Sequence, residues 1–278
     1  MLNRLIFIIF LSSLYLNATN INTVVSIQPL VTFVNEIAKD NAQITLMIKP
    51  GKSPHTYEPK PSQMVSIANA KLYFAIGVEF DKIWTKRFKN QNKSLKIIHL
   101  DEGIKKIHMQ NHNEHDHNHQ NYDPHIWLSP KNVKVIAKKI YTAFVDIDSK
   151  NKNFYKENLV KFLTKIDITD SNIKNILKNV KKGSKFMVFH PSWGYFAKEY
   201  GLVQVPVEVE GKSIKPKTLI KIIEIAKKEK IKSIIVQPEF SNKVAKMLAK
   251  ELNIKVVKIS PLSKEWSKNL IKLAKSVR

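Results

Sequence analysis

Short apolar runs rich in β-branched residues alternate with longer stretches of helical periodicity along most of this chain. Such alternation predicts parallel βα units rather than an all-helical or all-strand fold. Eight runs are candidate strands, four in each half: residues 23–27, 43–48, 72–77, 96–100, 185–189, 203–209, 233–236 and 255–259. We therefore predict an α/β fold with two similar lobes, which a length of 278 residues accommodates.

A long helical pattern separates the two sets of strands. Ser129 is placed to cap one helix, and residues 151–180 then contain neither Gly nor Pro and carry apolar residues at helical spacing. A helix of this length would measure about 45 Å and would cross both lobes. We expect it to limit hinge opening between them.

These patterns divide the chain into segments. We predict an N-terminal lobe at 19–150, a linking helix at 151–182 and a C-terminal lobe at 183–278. Residues 1–18 place Arg4 before an apolar run and end on a small residue, Ala18, as a cleavable secretory signal does. The alternative is a buried N-terminal strand or helix.

The apolar run of the predicted signal is too short to be a permanent membrane span. The sequence also contains no Cys to carry a lipid there. We expect an exported periplasmic protein without a lipid anchor or stable membrane insertion. The lack of Cys further excludes disulfides, thiolate zinc sites and iron–sulfur clusters, so any metal must be held by nitrogen and oxygen.

The net charge of +24 raises the question of nucleic-acid binding. Only three of the 47 basic residues are Arg, the residue that reads guanine edges in bidentate fashion. The Lys residues are spread along the whole chain. We therefore interpret the charge as a solvated surface and expect no nucleic-acid partner.

Residues 108–121 form a His-rich segment. It contains five His residues with Glu114 and Asp116 between them: His108, His112, His115, His117 and His119. Such a stretch has little to bury, and neutral imidazole is a preferred ligand of zinc, nickel and copper. We predict a mobile loop that gathers metal; the alternative is a polar loop with incidental metal affinity.

Three other histidines stand beside turn residues near predicted strand ends. His55 lies in KPGKSPHTYEPKPS after the second strand, His125 in YDPHIWLSP, and His190 in MVFHPSWGYF after the fifth strand. Ligands of open α/β sheets bind outside the carboxyl ends of strands. Each histidine alone is equally consistent with a structural role, but together they predict a metal site between the lobes.

Four segments of the chain resemble a known family. They are PHTYEPKPSQMVSIANAKLYFAIGVEFDKIW, HDHNHQNYDPHIWLSP, FHPSWGYFAKEYGL and VQPEFSNKVAKMLAKELNIKVVKISPL. They are similar to the zinc-binding periplasmic solute-binding proteins of ABC-type importers. The resemblance implies two (β/α)4 lobes joined by a backbone helix, metal in the interlobe cleft and delivery to a membrane permease. It also implies a metal-ligand role for His55, His125 and His190.

The chain departs from that family at two places. Members often have Asp where this chain has Ser260, and commonly read Glu-Pro-Gln where it has Gln237, Pro238 and Glu239. The fourth ligand is therefore open between water, Glu239 and a histidine of the His-rich loop. We favour a solvated surface position for Glu239.

Other nearby residues have two interpretations each. Glu58 either orients the histidine before it or stabilises a turn, and Asp123 either accepts an imidazole N–H or forms an Asp-Pro turn. Trp127 and Trp193 either wall the cleft or, as we favour, pack in the core. His99 lies within a strand pattern and is expected to be structural rather than a ligand.

We conclude that a monomeric periplasmic protein captures Zn²⁺ and delivers it to an ABC transporter permease without catalysis. The alternatives are a binding protein for manganese, nickel or copper, a metal buffer or adhesin without a transport partner, and a zinc hydrolase. Three His ligands and one open position also activate water, but no H-E-x-x-H motif is present.

Overall fold

The computed structural model describes residues 20–109, 122–208, 216–240 and 243–277. The predicted signal at 1–18 lies outside these ranges, and so do four of the five histidines of the His-rich segment.

Two parallel four-stranded sheets form the centres of the two lobes. Their spatial orders are β2-β1-β3-β4 and β6-β5-β7-β8. The strands are β1 (Ile21–Val25), β2 (Ala42–Leu46), β3 (Leu72–Ala75), β4 (Lys96–His99), β5 (Lys185–Val188), β6 (Val203–Pro206), β7 (Ser233–Val236) and β8 (Lys255–Lys258). All eight predicted strands are confirmed, with ends shifted by up to three residues.

The helices cover the sheets and connect the lobes. They are α1 (Gln28–Ala38), α2 (Pro61–Asn69), α3 (Glu79–Gln91), α4 (Pro130–Ile147), α5 (Lys152–Leu177), α6 (Gly194–Glu199), α7 (Pro216–Lys228), α8 (Lys243–Glu251) and α9 (Trp266–Val277). Ser129 caps α4, since its side chain accepts a hydrogen bond from Asn132 N–H. No helix in the described ranges is both long and apolar enough to cross a membrane.

The long linking helix is confirmed as α5, with 26 residues. It ends before Val180 because a tight turn follows, in which Val180 N–H donates to Leu177 O at 2.8 Å. α5 packs against α1 and α4 of the first lobe and against α9 of the second. The helix is therefore held by both lobes rather than merely connecting them.

The lobes also meet directly at a seam around two tryptophans. Trp127 Nε1 donates to Pro261 O at 2.8 Å, and Trp266 Nε1 donates to Trp127 O at 2.7 Å. The ring of Trp266 meets Phe33 of α1 edge-on, with centroids 5.6 Å apart. One continuous apolar core extends across this seam. Trp127 and Trp193 are both fully buried, as we favoured, and Trp127 also lines the cleft between the lobes.

Strand order explains where a ligand can bind. In each sheet the chain crosses over between the two central strands, β1 and β3 in the first lobe and β5 and β7 in the second. Crevices at the carboxyl ends of such strands are the usual ligand sites of open α/β sheets. Segments that follow β2, β3 and β4 of the first lobe meet segments that follow β5, β7 and β8 of the second in a cleft between the lobes.

Candidate metal centre

The interlobe cleft brings together the three histidines singled out in the sequence. His55 and His125 come from the first lobe and His190 from the second. The other lining residues are Pro54, Val78, Glu79, Pro124, Trp127, Ser192, Glu239, Phe240, Pro261 and Leu262. The walls are thus largely apolar, and the ionisable groups among them are imidazoles and two carboxylates.

His190 lies two residues beyond the end of β5 and is only 3% exposed. Its Nδ1 is 2.9 Å from Glu208 Oε2. A carboxylate can only accept, so Nδ1 carries the proton and Nε2 keeps its lone pair. Nε2 is buried and has no hydrogen-bond partner within the described structure. A buried acceptor left without a partner indicates that a ligand belongs there.

His125 has the same arrangement in the first lobe. It is 7% exposed, and its Nδ1 is 2.7 Å from Asp123 Oδ1, which also accepts the His125 backbone N–H at 2.9 Å. Both interpretations of Asp123 therefore hold, since Oδ1 accepts the imidazole N–H and also closes the Asp-Pro turn. Carboxylates behind ligating imidazoles fix the ring and raise its basicity. The Nε2 atoms of His125 and His190 are thus the ones available to a metal.

His55 occupies the exposed loop between β2 and α2. Its ring centroid lies 5.8 Å from that of His190, and the His125 centroid lies 5.6 Å from His190 on another side. Glu58 is exposed, and the acids whose charges act on His55 are Glu79 and Glu208.

The three rings converge without forming a completed site. Within the described residues, no group of three or more His, Asp or Glu side chains has the geometry to hold a metal ion. Imidazoles that share a tetrahedral zinc at about 2.0–2.1 Å have ring centroids about 5 Å apart. The two observed separations, from His190 to His55 and from His190 to His125, are slightly larger than this.

Two of these histidines have a lowered pKa, which favours the neutral form of the ring. Desolvation lowers the pKa of His55 and of His190, because a charged imidazole is disfavoured away from water. The neighbouring imidazoles lower both values further, whereas Glu208 opposes the shift. Both rings therefore remain neutral, as a metal ligand must be, to lower pH than free histidine.

Glu239 contradicts the surface position that we favoured for it. It lines the cleft, its Oε1 accepts a hydrogen bond from the Ser260 hydroxyl, and its buried Oε2 has no hydrogen-bond partner in the described structure. Burial raises the pKa of this carboxyl group. The sequence pattern failed here because the segment after β7 turns into the cleft instead of outward to solvent.

Two residues of the site were missed in the sequence. Glu208, behind His190, lies inside the candidate strand 203–209 but beyond the observed end of β6, and Gln237 follows β7. Gln237 Nε2 donates to His190 O at 2.8 Å, and its Oε1 accepts His190 N–H at 3.2 Å. Both residues follow strands that neighbour β5. Their closeness to His190 can be inferred only when the strand order is known.

Most of the chain matches a protein family. Residues 23–276 match the family ZnuA, described as zinc-uptake complex component A, periplasmic. The chain belongs to the ZnuA family. Membership agrees with the two parallel sheets and the long linking helix.

Individual relatives extend this finding. The chain is 30% identical over 255 residues to the high-affinity zinc uptake system protein ZnuA of Bacillus subtilis, covering 87% of this chain and 78% of that protein. It is 28% identical over 239 residues to the manganese ABC transporter substrate-binding lipoprotein PsaA of Streptococcus pneumoniae, covering 82% and 75%. A crystal structure of a ZnuA 138–173 deletion mutant with zinc bound superposes with a TM-score of 0.86 at 34% identity, covering 93% of this chain and 96% of that one.

Two further histidines can be placed in this ZnuA-family fold. His99 is exposed at the end of β4 and is not among the residues that line the cleft. His108 pairs with Tyr122 in an isolated antiparallel bridge, and the two rings stack with centroids 5.0 Å apart. The remaining histidines of the His-rich segment lie outside the described residues.

Proposed function

We propose that this chain binds Zn²⁺ in the interlobe cleft through His55, His125 and His190 and delivers it to the permease of an ABC importer. The observation that carries the proposal is the buried, unpartnered Nε2 of His190, which faces a cleft that two other imidazoles share. Membership of the ZnuA family and the zinc-bound ZnuA relative support the choice of cargo.

Ligand chemistry favours zinc over the manganese of the PsaA relative. Imidazoles suit zinc, whereas manganese prefers carboxylate, carbonyl and water oxygens. Nickel and copper compete through intrinsic affinity, since copper stands above zinc in the usual order. We expect zinc to be preferred over manganese by a wide margin.

We propose that the chain is not an enzyme. Three histidines around a zinc ion also fit a hydrolase, but a substrate-binding component has no need to turn over its cargo. Family membership supports transport rather than hydrolysis. Stoichiometric zinc binding without ester or peptide turnover distinguishes the two.

The site is tested by replacing its histidines one at a time. Losing a group that merely holds a metal ligand in place usually costs about 10- to 100-fold in affinity. We expect a larger loss of zinc affinity from each of the ligand variants His55→Ala, His125→Ala and His190→Ala. His99→Ala is the matched control and should bind as the wild type does. Competition against a chromophoric chelator measures the affinities, and full affinity in His190→Ala would remove the basis of the proposal.

We further propose export through residues 1–18 with cleavage after Ala18, release into the periplasm without a lipid anchor, and action as a monomer. The chain lacks Cys, whereas the PsaA relative is named a lipoprotein. Mass spectrometry of the mature N-terminus and light scattering test these points.

A further inference from the structure

We propose that Glu239 is the fourth zinc ligand, binding through Oε2, and that Ser260 positions its carboxylate. This inference rests on the proposed zinc site. It adds an oxygen ligand from the second lobe to the three histidines.

The fold fixes Glu239 next to His190. Their segments follow β7 and β5, which are adjacent strands at the crossover point of the second sheet. Gln237 ties the two segments together through hydrogen bonds to both His190 N–H and His190 O. The ring of Phe240 stacks on the His190 ring, with centroids 4.5 Å apart and planes at 25°. Glu239 stands between these two contacts.

The two oxygens of Glu239 have different surroundings. Ser260 Oγ accepts the Leu262 N–H at 3.0 Å, so its own proton is directed to Glu239 Oε1. Oε2 is buried and has no hydrogen-bond partner in the described structure. A buried carboxylate oxygen without a partner is costly. A cation in the cleft removes that cost.

A carboxylate ligand also helps to compensate the charge of the zinc ion. Neutral imidazoles leave the two positive charges of a zinc ion uncompensated by direct ligands. Asp123 and Glu208 act only from behind the rings. A carboxylate bound directly to the ion reduces this charge within an apolar cleft, where charge is most expensive.

Among the described residues, Glu79 is the other carboxylate that lines the cleft. Glu79 is exposed and lies in the first turn of α3. A negative charge at a helix N-terminus is already stabilised there. The matched control for Glu239 is instead Glu251, which is exposed at the end of α8 in the same lobe and does not line the cleft.

The test compares zinc affinity and coordination in Glu239→Gln and Glu251→Gln. Glu239→Gln should weaken zinc binding by more than about tenfold, because losing a ligand should cost at least as much as losing a group that only positions a ligand. Glu251→Gln should bind as the wild type does. Ser260→Ala should show a smaller loss. A double variant, Glu239→Gln with Ser260→Asp, should recover part of the affinity because it returns a carboxylate to the same end of the cleft.

A crystal structure of the zinc-loaded wild type supplies a readout that does not depend on any variant folding. Glu239 Oε2 should lie about 2.0–2.2 Å from the ion. A water in that position, with Glu239→Gln at wild-type affinity, would overturn the inference and leave the three-histidine site intact. Wild-type affinity in His190→Ala would instead contradict the proposed function itself.

Discussion

His190 is the central residue of the cleft. Its ring lies next to those of His55, His125 and Phe240, its backbone is held by Gln237, and Glu208 sets its tautomer. A residue fixed from so many directions offers its Nε2 at a defined position, and such preorganisation reduces the cost of binding. His55, by contrast, lies on an exposed loop.

Zinc affinity should depend on pH in the range set by these histidines. Free His has a pKa of about 6.5, and burial lowers the values of His55 and His190. A lowered pKa means that protons compete with metal only at more acidic pH. The apparent affinity should therefore stay flat from about pH 8 to about pH 6.5 and fall below that.

Competition titrations from pH 8 to pH 5, corrected for protonation of the chelator, measure this dependence. An affinity that is flat throughout that range would contradict imidazole ligation. A fall that begins well above the ordinary histidine pKa would contradict the lowered values.

Gly194 should be needed for the position of Asp123. A Cβ at Gly194 would fall well inside van der Waals contact with Asp123 Oδ2, and Asp123 holds the ring of His125. Gly194→Ala should therefore weaken zinc binding by about 10- to 100-fold, as losses behind a ligating imidazole do. Gly183→Ala is a useful contrast, because an added Cβ there meets nothing within 4 Å, although its φ of +81° carries backbone strain. Wild-type affinity in Gly194→Ala would show that Asp123 relaxes without moving His125.

Among the larger elements, the bridge between His108 and Tyr122 closes the ends of the His-rich segment. It lies outside the residues that line the cleft. The segment can therefore be replaced without disturbing the strands that carry the site.

Replacing residues 110–120 with a short Gly/Ser linker should remove several weak zinc sites and keep the tight one. The reason is that His55, His125 and His190 all stand outside the replaced residues. Calorimetric titration counts both classes of site. A same-length variant with Asn at His112, His115, His117 and His119 separates loss of ligands from loss of chain length. Disappearance of the tight site in both variants would show that this segment supplies a primary ligand.

Contacts between the two lobes oppose a wide hinge motion of the whole molecule. α5 packs on helices of both lobes. Across the seam, Trp127 Nε1 donates to Pro261 O and Trp266 Nε1 donates to Trp127 O. Opening the cleft widely would expose part of a continuous core, at about 25 cal/mol for each Å² of apolar surface.

Zinc loading should therefore change the overall shape very little. Small-angle scattering of metal-free and zinc-loaded protein should give the same radius of gyration within error. The variant Trp266→Phe keeps an aromatic side chain at the seam but loses the hydrogen bond to Trp127 O. It should lower the free energy of unfolding by about 1 kcal/mol. A large compaction of the wild type on loading would mean that the lobes hinge in spite of α5.

The sequence by itself determined the elements of this fold. β-branched runs and helical periodicity are local properties, so all eight strands, the capped helix α4 and the long helix α5 could be predicted from them. Turn residues near predicted strand ends also singled out His55, His125 and His190. This was possible because imidazole is a common metal ligand and parallel sheets bind ligands at the carboxyl ends of their strands. The division of the chain at residues 150 and 183 stays a prediction.

Only the tertiary structure decided which loops become neighbours. The order β6-β5-β7-β8 places Glu208, His190, Glu239 and Ser260 in one row of strand ends, although they are spread over more than a quarter of the sequence. Strand order depends on how crossovers pack over the whole sheet, and no local pattern records it. For that reason Glu208 and Gln237 were missed and Glu239 was wrongly placed at the surface, whereas Asp123, only two residues from His125, could be recognised. Contacts between sequence neighbours follow from the sequence, but contacts between strand ends follow from the order in which the strands pack.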